Sequence, residues 1–187
     1  MKVIFLDNDG VICLWGNWGS RYKKRKQTYT EDNPMSMDIE PPVEYRFDDF
    51  DTKAIKVLND ILTETGAEIV VSSDWKRHAT VEELGDYYIS QGIIKRPIAK
   101  TPNLMEFDSL TASLFNYKGW SRKARILEIE KYLELNPEIT HWVAVDDLNM
   151  SPKFNDGHGL SNFVLTPRAH EGIKQSGIKK KILKYLL

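Results

Sequence analysis

The stretch Val3-Ile4-Phe5-Leu6-Asp7-Asn8-Asp9-Gly10-Val11-Ile12, close to the start of the chain, decides the fold. Its first four residues are apolar and mostly β-preferring, which predicts a strand buried on both faces. Two carboxylates and a glycine follow at once. If the backbone stays extended through Asp9, the alternation of side chains along a strand places Asp7 and Asp9 on the same side, close together.

Two carboxylates held this close can serve chemistry or simply end a strand. A divalent cation such as Mg²⁺ favours carboxylate oxygens and offsets their repulsion. An ionised Asp can also attack phosphorus while a neighbouring carboxyl handles a proton. The alternative is an ordinary turn, in which Asp and Gly are common. The stretch alone leaves both interpretations open, so the ends of the other strands must decide.

The composition describes an ordinary globular protein. Hydrophobic residues make up 41% of the 187 residues and charged residues 28%, which fits one well-buried domain. The net charge of −1 argues against a protein that coats nucleic acid by bulk electrostatics, although a local basic patch is compatible with it. The single cysteine, Cys13, excludes an intrachain disulfide. Because the sequence has no run of about 18 apolar residues and no signal-peptide pattern, we expect a cytoplasmic protein without a membrane segment.

Strands and helices alternate along the rest of the chain. Further stretches typical of strands lie at 68–72, 93–102, 141–145 and 162–165. Helical patterns lie between and after them, at 52–65, at 81–90, after a cap at Ser121, at 168–175 and at 178–187. Residues 103–120 are expected to form a loop. This order predicts an α/β fold built on a doubly wound parallel sheet with right-handed crossovers.

Polar residues directly follow three of the predicted strands. Asp7 and Asp9 follow the first, Ser72 ends the second, and Asp146-Asp147 closes the third of the buried strands. In a doubly wound sheet the ligand site lies at the carboxyl ends of the strands, where the chain order reverses. Three polar endings on separate strands are hard to explain as turns, so we expect them to converge.

The converging residues suit phosphoryl transfer, which needs a nucleophile, charge neutralisation and a proton donor. We expect Asp7 to be the nucleophile and Asp9 the acid/base. The expected Mg²⁺ ligands are Asp7, Asp9 with a main-chain carbonyl beside it, Asp146 and Asp147. A hydroxyl from Ser72 and a cation from the helix at 122–125 would bind the remaining phosphoryl oxygens.

The order of these residues resembles the four motifs of the haloacid dehalogenase (HAD) superfamily of Mg²⁺-dependent phosphatases. The resemblance spans about residues 2–150 and rests on the first and fourth motifs, Asp7-Asn8-Asp9-Gly10-Val11 and Asp146-Asp147. It implies a HAD-like Rossmannoid fold and catalysis through an aspartyl-phosphate intermediate. A narrower resemblance, to the small HAD domains associated with RNA-repair multidomain proteins, rests on Ser72-Ser73-Asp74-Trp75-Lys76-Arg77, Thr101-Pro102, Arg125-Ile126-Leu127-Glu128-Ile129, Asp146-Asp147 and Gly159-Leu160.

The resemblance leaves two positions open. For the second motif, Ser72 matches better than Ser73, because it directly follows the strand. For the third motif the candidates are Arg122, Lys123 and Arg125. Lys123 matches the lysine usual in the superfamily, while Arg125 matches the narrower Arg-x-x-Glu-Ile pattern, so both Lys123 and Arg125 are carried forward as catalytic residues.

A polar, aromatic segment at about 14–50 separates the first two motifs and shows no sustained periodicity. A loop this long in a compact domain is usually functional. We expect a flap-like insertion in a single domain covering 1–187, too short for a full cap domain, and therefore an open site. Its run Arg21–Lys26 holds five cations and one tyrosine. Such runs are often solvated surface, but this one could receive a nucleotide or nucleic-acid end.

The first functional hypothesis is a Mg²⁺-dependent phosphomonoesterase that acts on nucleotide or nucleic-acid-end phosphates. The alternatives are a phosphatase of small metabolites or phosphoproteins, and a non-catalytic HAD-fold binding protein. The presence of both Asp7 and Asp9 argues for chemistry, and the doubled Asp146-Asp147 favours phosphate over metal-free dehalogenation. Asn8, between the two aspartates, is expected to point away from the site and to tolerate substitution.

Overall fold

The computed structural model describes residues 1–30, 32–35, 40–103, 117–154 and 157–187. The strands in these ranges are β1 (Lys2–Leu6), β2 (Glu68–Val71), β3 (Pro97–Lys100), β4 (His141–Asp146) and β5 (Phe163–Leu165). The α-helices in the same ranges are α1 (Ser20–Thr28), α2 (Val43–Arg46), α3 (Thr52–Thr65), α4 (Val81–Ser90), α5 (Tyr117–Leu135) and α6 (Ile178–Leu186). No helix among them combines the length and apolar character needed to cross a bilayer.

The five strands form one parallel sheet in the order β3-β2-β1-β4-β5. The chain runs outward from β1 through β2 to β3, then returns to the other side of β1 and continues through β4 to β5. Its direction across the sheet therefore reverses between β1 and β4, which is where doubly wound sheets bind ligands. The α/β, doubly wound fold predicted from the sequence is confirmed.

The central strand β1 is buried on both faces because its alternate residues enter two separate apolar cores. Ile4 and Leu6 pack in a core shared with α3, α4 and α6. Val3 and Phe5 pack on the opposite face, in a core that includes Ile126 of α5. A strand covered by helices on both sides needs apolar residues at every position. This explains the continuous apolar run at the start of the sequence.

Several helix ends agree with the capping signals in the sequence. The Asp51 carboxylate accepts hydrogen bonds from the first-turn main-chain N–H groups of α3, and Gly66 ends that helix in the left-handed conformation. Thr80 and Glu83 form the predicted capping box at the start of α4. These local signals place α3 and α4 correctly along the chain.

Three of the predictions are wrong in detail. Ser121 does not begin a helix, because α5 already begins at Tyr117 within the stretch assigned to a loop; residues 104–116 of that stretch lie outside the described ranges. The segment 168–175 forms only the short 3₁₀ helix Gly172–Lys174. The insertion at about 14–50 contains α1, which has no buried residue. Arg, Lys and Gln favour helix, but without an apolar stripe the periodicity cannot reveal it.

The loop after β1 is held by hydrogen bonds to residues far along the chain. Thr166 Oγ1 donates to Gly10 O at 3.2 Å, and Ile173 N donates to Val11 O at 2.9 Å. Trp15 N in turn donates to the main-chain oxygen of Ala169 at 3.0 Å. Segments of the chain beyond β5 therefore hold the loop that carries the first motif.

Candidate active site

The carboxyl ends of β1, β2 and β4 bring three polar side chains to the same level of the sheet. The register of β1 with its two neighbours places Asp7, Ser72 and Asp146 side by side. Main-chain hydrogen bonds continue the strand pairing one step further, from Asp7 N to Val145 O at 3.0 Å and from Ser72 N to Leu6 O at 2.9 Å. Parallel pairing alone thus assembles the centre of the site.

Asp7, Asp146 and Asp147 form an acidic cluster at this position. One carboxylate oxygen of each lies within 4.8 Å of the others, so that a single cation could contact all three. Burial raises the pKa of Asp7 well above its usual value and, with the charge of Asp146, raises that of Asp147 to about 6. Burial also raises the pKa of Asp146. Ionising all three carboxyls in this buried position is therefore unfavourable for the protein alone. A bound cation would offset that free-energy cost.

Arg125 is the basic side chain that reaches the cluster. Its side chain is only 8% exposed, and its Nη1 lies 2.8 Å from Asp146 Oδ2 and 3.3 Å from Asp7 Oδ2. Lys123 is exposed on the same helix, because two positions along an α-helix differ by about 200° of rotation. The guanidinium carbon of Arg122, the third candidate, lies 4.4 Å from the centroid of the Phe154 ring. Of the two catalytic candidates from α5, the structure brings Arg125 to the site and leaves Lys123 outside it.

The charges of the cluster fit a divalent cation. When all three carboxylates are ionised, the single positive charge of Arg125 leaves two negative charges unbalanced. All of the acidic donors are oxygens, which Mg²⁺ prefers as ligands. Asp7, Asp146 and Asp147 are therefore the residues that could hold a metal ion.

The adjacent serines differ in what their hydroxyls contact. Ser73 Oγ accepts a hydrogen bond from Trp75 N at 3.4 Å and so caps the short 3₁₀ helix Asp74–Arg77. Ser72 Oγ is buried and has no hydrogen-bond partner among the described residues. A buried hydroxyl without a partner is costly unless a ligand satisfies it. Ser72, rather than Ser73, thus has a hydroxyl available for substrate.

Asp9 lies beside the acidic cluster and is not one of its three members. Its Oδ2 accepts a hydrogen bond of 2.8 Å from Trp75 Nε1. Burial raises the pKa of Asp9, and the Trp75 hydrogen bond opposes that shift. A raised pKa suits a carboxyl that must carry a proton. The indole engages one oxygen of the Asp9 carboxylate, so that metal ligation by Asp9, expected from the sequence, stays a prediction.

Comparison with models of known protein families identifies the family of this chain. The model of the HAD domain in Swiss Army Knife RNA repair proteins matches residues 3–177. The chain belongs to this family. Membership in this family supports a HAD-type phosphatase function or a related function. Neither a search of curated proteins nor a search of solved structures found a match.

Asn8 of this HAD domain points away from the acidic cluster, yet it is a poor candidate for tolerance. Its side chain is buried, and its Oδ1 accepts a hydrogen bond of 2.6 Å from Tyr88 Oη. Its main-chain oxygen accepts hydrogen bonds from the N–H groups of Val11, Ile12 and Cys13. Removing the amide would leave the buried Tyr88 hydroxyl without this partner. The orientation expected from the sequence holds, and the expected tolerance does not follow from it.

The HAD domain also contains a buried ion pair that the sequence did not reveal. Lys76 Nζ pairs with the Glu128 carboxylate and donates to Thr101 Oγ1 at 2.9 Å and to Pro102 O at 3.1 Å. Glu128 lies one helical turn after Arg125, so the pair ties the loop after β2 to the helix that carries Arg125. The Arg-x-x-Glu spacing was visible in the sequence, but nothing local indicated Lys76 as the partner.

Proposed function

We propose that this HAD domain is a Mg²⁺-dependent phosphomonoesterase that works through an aspartyl-phosphate on Asp7. The observation that carries the proposal is the composition of the site at the reversal of the sheet. A buried cluster of three carboxylates, paired with Arg125, stands beside Ser72 Oγ, which has no hydrogen-bond partner among the described residues, and beside Asp9, whose pKa is raised by burial. Cation ligands, a phosphoryl-binding group and a proton carrier are the parts that phosphoryl transfer needs.

The chain's own residues divide the reaction into two steps. In the first, an Asp7 carboxylate oxygen forms a bond to phosphorus as the bond to the leaving alcohol breaks, and Asp9 gives its proton to the leaving oxygen. In the second, water attacks the phosphorus, Asp9 takes the proton from that water, and the bond to Asp7 breaks. Inorganic phosphate is released and both carboxyls return to their starting states.

The transferred phosphoryl group needs positive charge and hydrogen-bond donors around its oxygens. Arg125 supplies a guanidinium next to Asp7, and Ser72 supplies the hydroxyl that has no protein partner among the described residues. When bound by Asp7, Asp146 and Asp147, Mg²⁺ would add charge neutralisation of the phosphoryl oxygens.

The segment at about 14–50 acts in this proposal as a flap over the site of a single domain, and not as a full cap. In its described part it forms the 3₁₀ helix Trp15–Asn17 and the helices α1 and α2. Its basic run, Arg21–Lys26, supports a nucleotide or a nucleic-acid end as the phosphorylated substrate. An open site with a short flap suits such a ligand better than a closed cavity would.

Removal of the metal tests the proposal directly. With p-nitrophenyl phosphate as substrate, we expect hydrolysis in Mg²⁺ and a loss to background in EDTA, because three mutually repelling carboxylates would remain. Mg²⁺ should also raise the melting temperature, since it binds the folded state selectively. Asp146→Asn should weaken both effects, whereas the exposed Asp60, paired with Lys56 at 3.0 Å, provides the control Asp60→Asn. Full hydrolysis in EDTA would contradict the metal requirement.

Gly10 gives a second test of the cluster. Its φ is +70°, and a Cβ at this position would collide with Asp147 Oδ2. We expect Gly10→Ala to displace that carboxylate and to raise the Mg²⁺ concentration for half-maximal hydrolysis by about 10- to 100-fold. Gly66→Ala is the matched control, because φ is +69° there and a Cβ would meet nothing within 4 Å. An equal Mg²⁺ requirement in both variants would argue against Asp147 as a ligand.

A further inference from the structure

A cavity of about 380 Å³ lies next to the acidic cluster, between the insertion and the loop after β2. Residues of both segments line it, among them Asp9, Arg21, Tyr22, Arg25, Phe47 and Trp75. Its volume is in the range of pockets that bind small organic ligands. Asp9 belongs both to this cavity and to the catalytic arrangement proposed above, so the cavity opens where the leaving group would depart.

The inner wall of the cavity is buried and aromatic. Phe47 and Trp75 stack with ring centroids 4.4 Å apart and an angle of 5° between their planes, and both are buried. The same Trp75 donates its indole N–H to Asp9. A group seated against this wall would therefore lie beside the carboxyl proposed to protonate the leaving oxygen.

The outer wall carries an exposed aromatic ring with two cations beside it. Tyr22 is 58% exposed, and the guanidinium carbons of Arg21 and Arg25 lie 5.0 Å and 5.9 Å from its ring centroid. Neither arginine forms an ion pair with a carboxylate in the part of the chain that the structure describes. Arg46, which also lines the cavity, is by contrast paired with the Glu83 carboxylate. Arg25 Nε donates to Tyr45 O at 2.6 Å and Arg21 Nη2 donates to Tyr22 Oη at 3.3 Å, so both guanidiniums are positioned by neutral acceptors.

The cations of the basic run Arg21–Lys26 point to different sides of the helix α1. Arg21 and Arg25, four positions apart, share the face of α1 that lines the cavity. Lys24 turns inward, with its Nζ 2.8 Å from Asp49 Oδ1. Lys23 and Lys26 are exposed and do not line the cavity. A run that only supplies surface charge has no need for arginine on one face and lysine elsewhere. A binding site on one face of the helix would produce this difference.

We propose that this cavity binds the leaving nucleoside of the substrate together with a second phosphate. The base would stack on Tyr22, and the guanidiniums of Arg21 and Arg25 would bind the second phosphate, since arginine suits the planar recognition of phosphate oxygens. The inference rests on the phosphatase function proposed above and narrows it. The substrate class is a phosphomonoester on a nucleotide that carries another phosphate, as at the end of a single-stranded polynucleotide. A sugar phosphate has no planar aromatic ring to stack on Tyr22, and a singly phosphorylated peptide has no second phosphate to bind.

Two double variants with the same change in charge test this inference. Arg21→Gln with Arg25→Gln alters the cavity, and Lys23→Gln with Lys26→Gln alters only the exposed side of α1. The measured quantity is the ratio of kcat/KM for adenosine 3′,5′-bisphosphate to kcat/KM for the adenosine monophosphates. We expect a ratio of about 10 to 100 in the wild type and the lysine variant, falling to below about 3 in the arginine variant. Because each ratio is taken within one variant, a uniform loss of folded protein does not alter it.

Binding without turnover gives a second measurement. In EDTA, fluorescence anisotropy with a labelled, end-phosphorylated pentanucleotide should show affinity about tenfold weaker in the arginine variant and unchanged in the lysine variant. Tyr22→Leu should also weaken binding, because it removes the stacking surface and keeps both charges.

The outcomes separate this inference from the phosphatase proposal. Both double variants could hydrolyse p-nitrophenyl phosphate with equal kcat/KM ratios and equal affinity for the pentanucleotide. That result would overturn the subsite and still support the phosphatase function. Selective loss of binding in the arginine variant, with no ester hydrolysed by the wild type, would support the cavity and overturn the phosphatase. A phosphoserine peptide hydrolysed faster than the bisphosphate, with the same dependence on Arg21 and Arg25, would overturn the assignment to nucleotides.

Discussion

Asp7→Asn is expected to lower kcat for p-nitrophenyl phosphate by roughly 10⁴-fold or more, because an amide cannot form the bond to phosphorus that the carboxylate forms. The substitution keeps the size of a side chain that is almost fully buried between β2 and β4. Steady-state rates of purified wild type and variant in Mg²⁺ give the comparison. Acid quenching during turnover, followed by mass spectrometry of peptides, should find phosphate on the wild-type peptide that contains Asp7 and none in the variant.

The exposed Asp60 again provides the control, since Asp60→Asn removes the same charge from the surface of α3. Equal turnover in wild type and Asp7→Asn would place the nucleophile elsewhere. Absence of turnover in both, with Mg²⁺ still raising the melting temperature, would favour the non-catalytic binding protein. The two results thus separate an error in one residue from an error in the class of function.

Arg125→Met is expected to produce the largest loss of stability among single substitutions in the site. Without the guanidinium, Asp7 and Asp146 would stay buried with no protein cation within ion-pair distance among the described residues. Breaking a buried ion pair from one side typically costs about 3–5 kcal/mol. In EDTA this corresponds to a fall of about 6–20 °C in melting temperature for a chain of this size. Mg²⁺ should restore part of the loss, because it supplies charge to the same carboxylates.

Arg168 offers a matched control on the surface. It pairs with Glu171 at 3.1 Å, and its side chain is 60% exposed. Exposed pairs of this kind contribute about 0–1 kcal/mol, so Arg168→Met should melt close to the wild type with or without Mg²⁺. If Arg125→Met were as stable as Arg168→Met in EDTA, the carboxylates of the cluster would not depend on Arg125 for their charge balance.

The sequence was sufficient to predict the sheet and the convergence of the strand ends. Burial on both faces leaves continuous apolar runs, and parallel pairing then brings the residues after each run together. Arg125 could also have been chosen over Lys123 from the sequence. Arg125 is four positions before Ile129, whose side chain packs on β1, so it shares the inward face of α5, and Lys123 does not. Rotation about the helix axis therefore separates Arg125 from Lys123, although it does not separate Arg125 from Arg122, whose guanidinium lies over the ring of Phe154.

Other features of the site had no local signal. The hydrogen bond between Trp75 and Asp9 joins residues 66 positions apart, and the ion pair between Lys76 and Glu128 joins residues 52 positions apart. Each depends on how the loop after β2 meets another segment, the loop after β1 in one case and the helix α5 in the other. The helix α1 was missed for another reason, because its stability does not come from burying an apolar face. Long-range pairing and polar helices are the two cases in which periodicity carries no information.

The hydrogen bonds that hold the first-motif loop also affect when the site can form during synthesis of the chain. The loop between β1 and Trp15, which carries Asp7 and Asp9, is held by Thr166, Ala169 and Ile173, and Thr166 is translated 156 residues after its partner Gly10. A nascent chain therefore carries both aspartates long before it can hold them in place. The site is completed only after Ile173 has been translated, so a chain interrupted before that residue would contain the reactive residues without their arrangement.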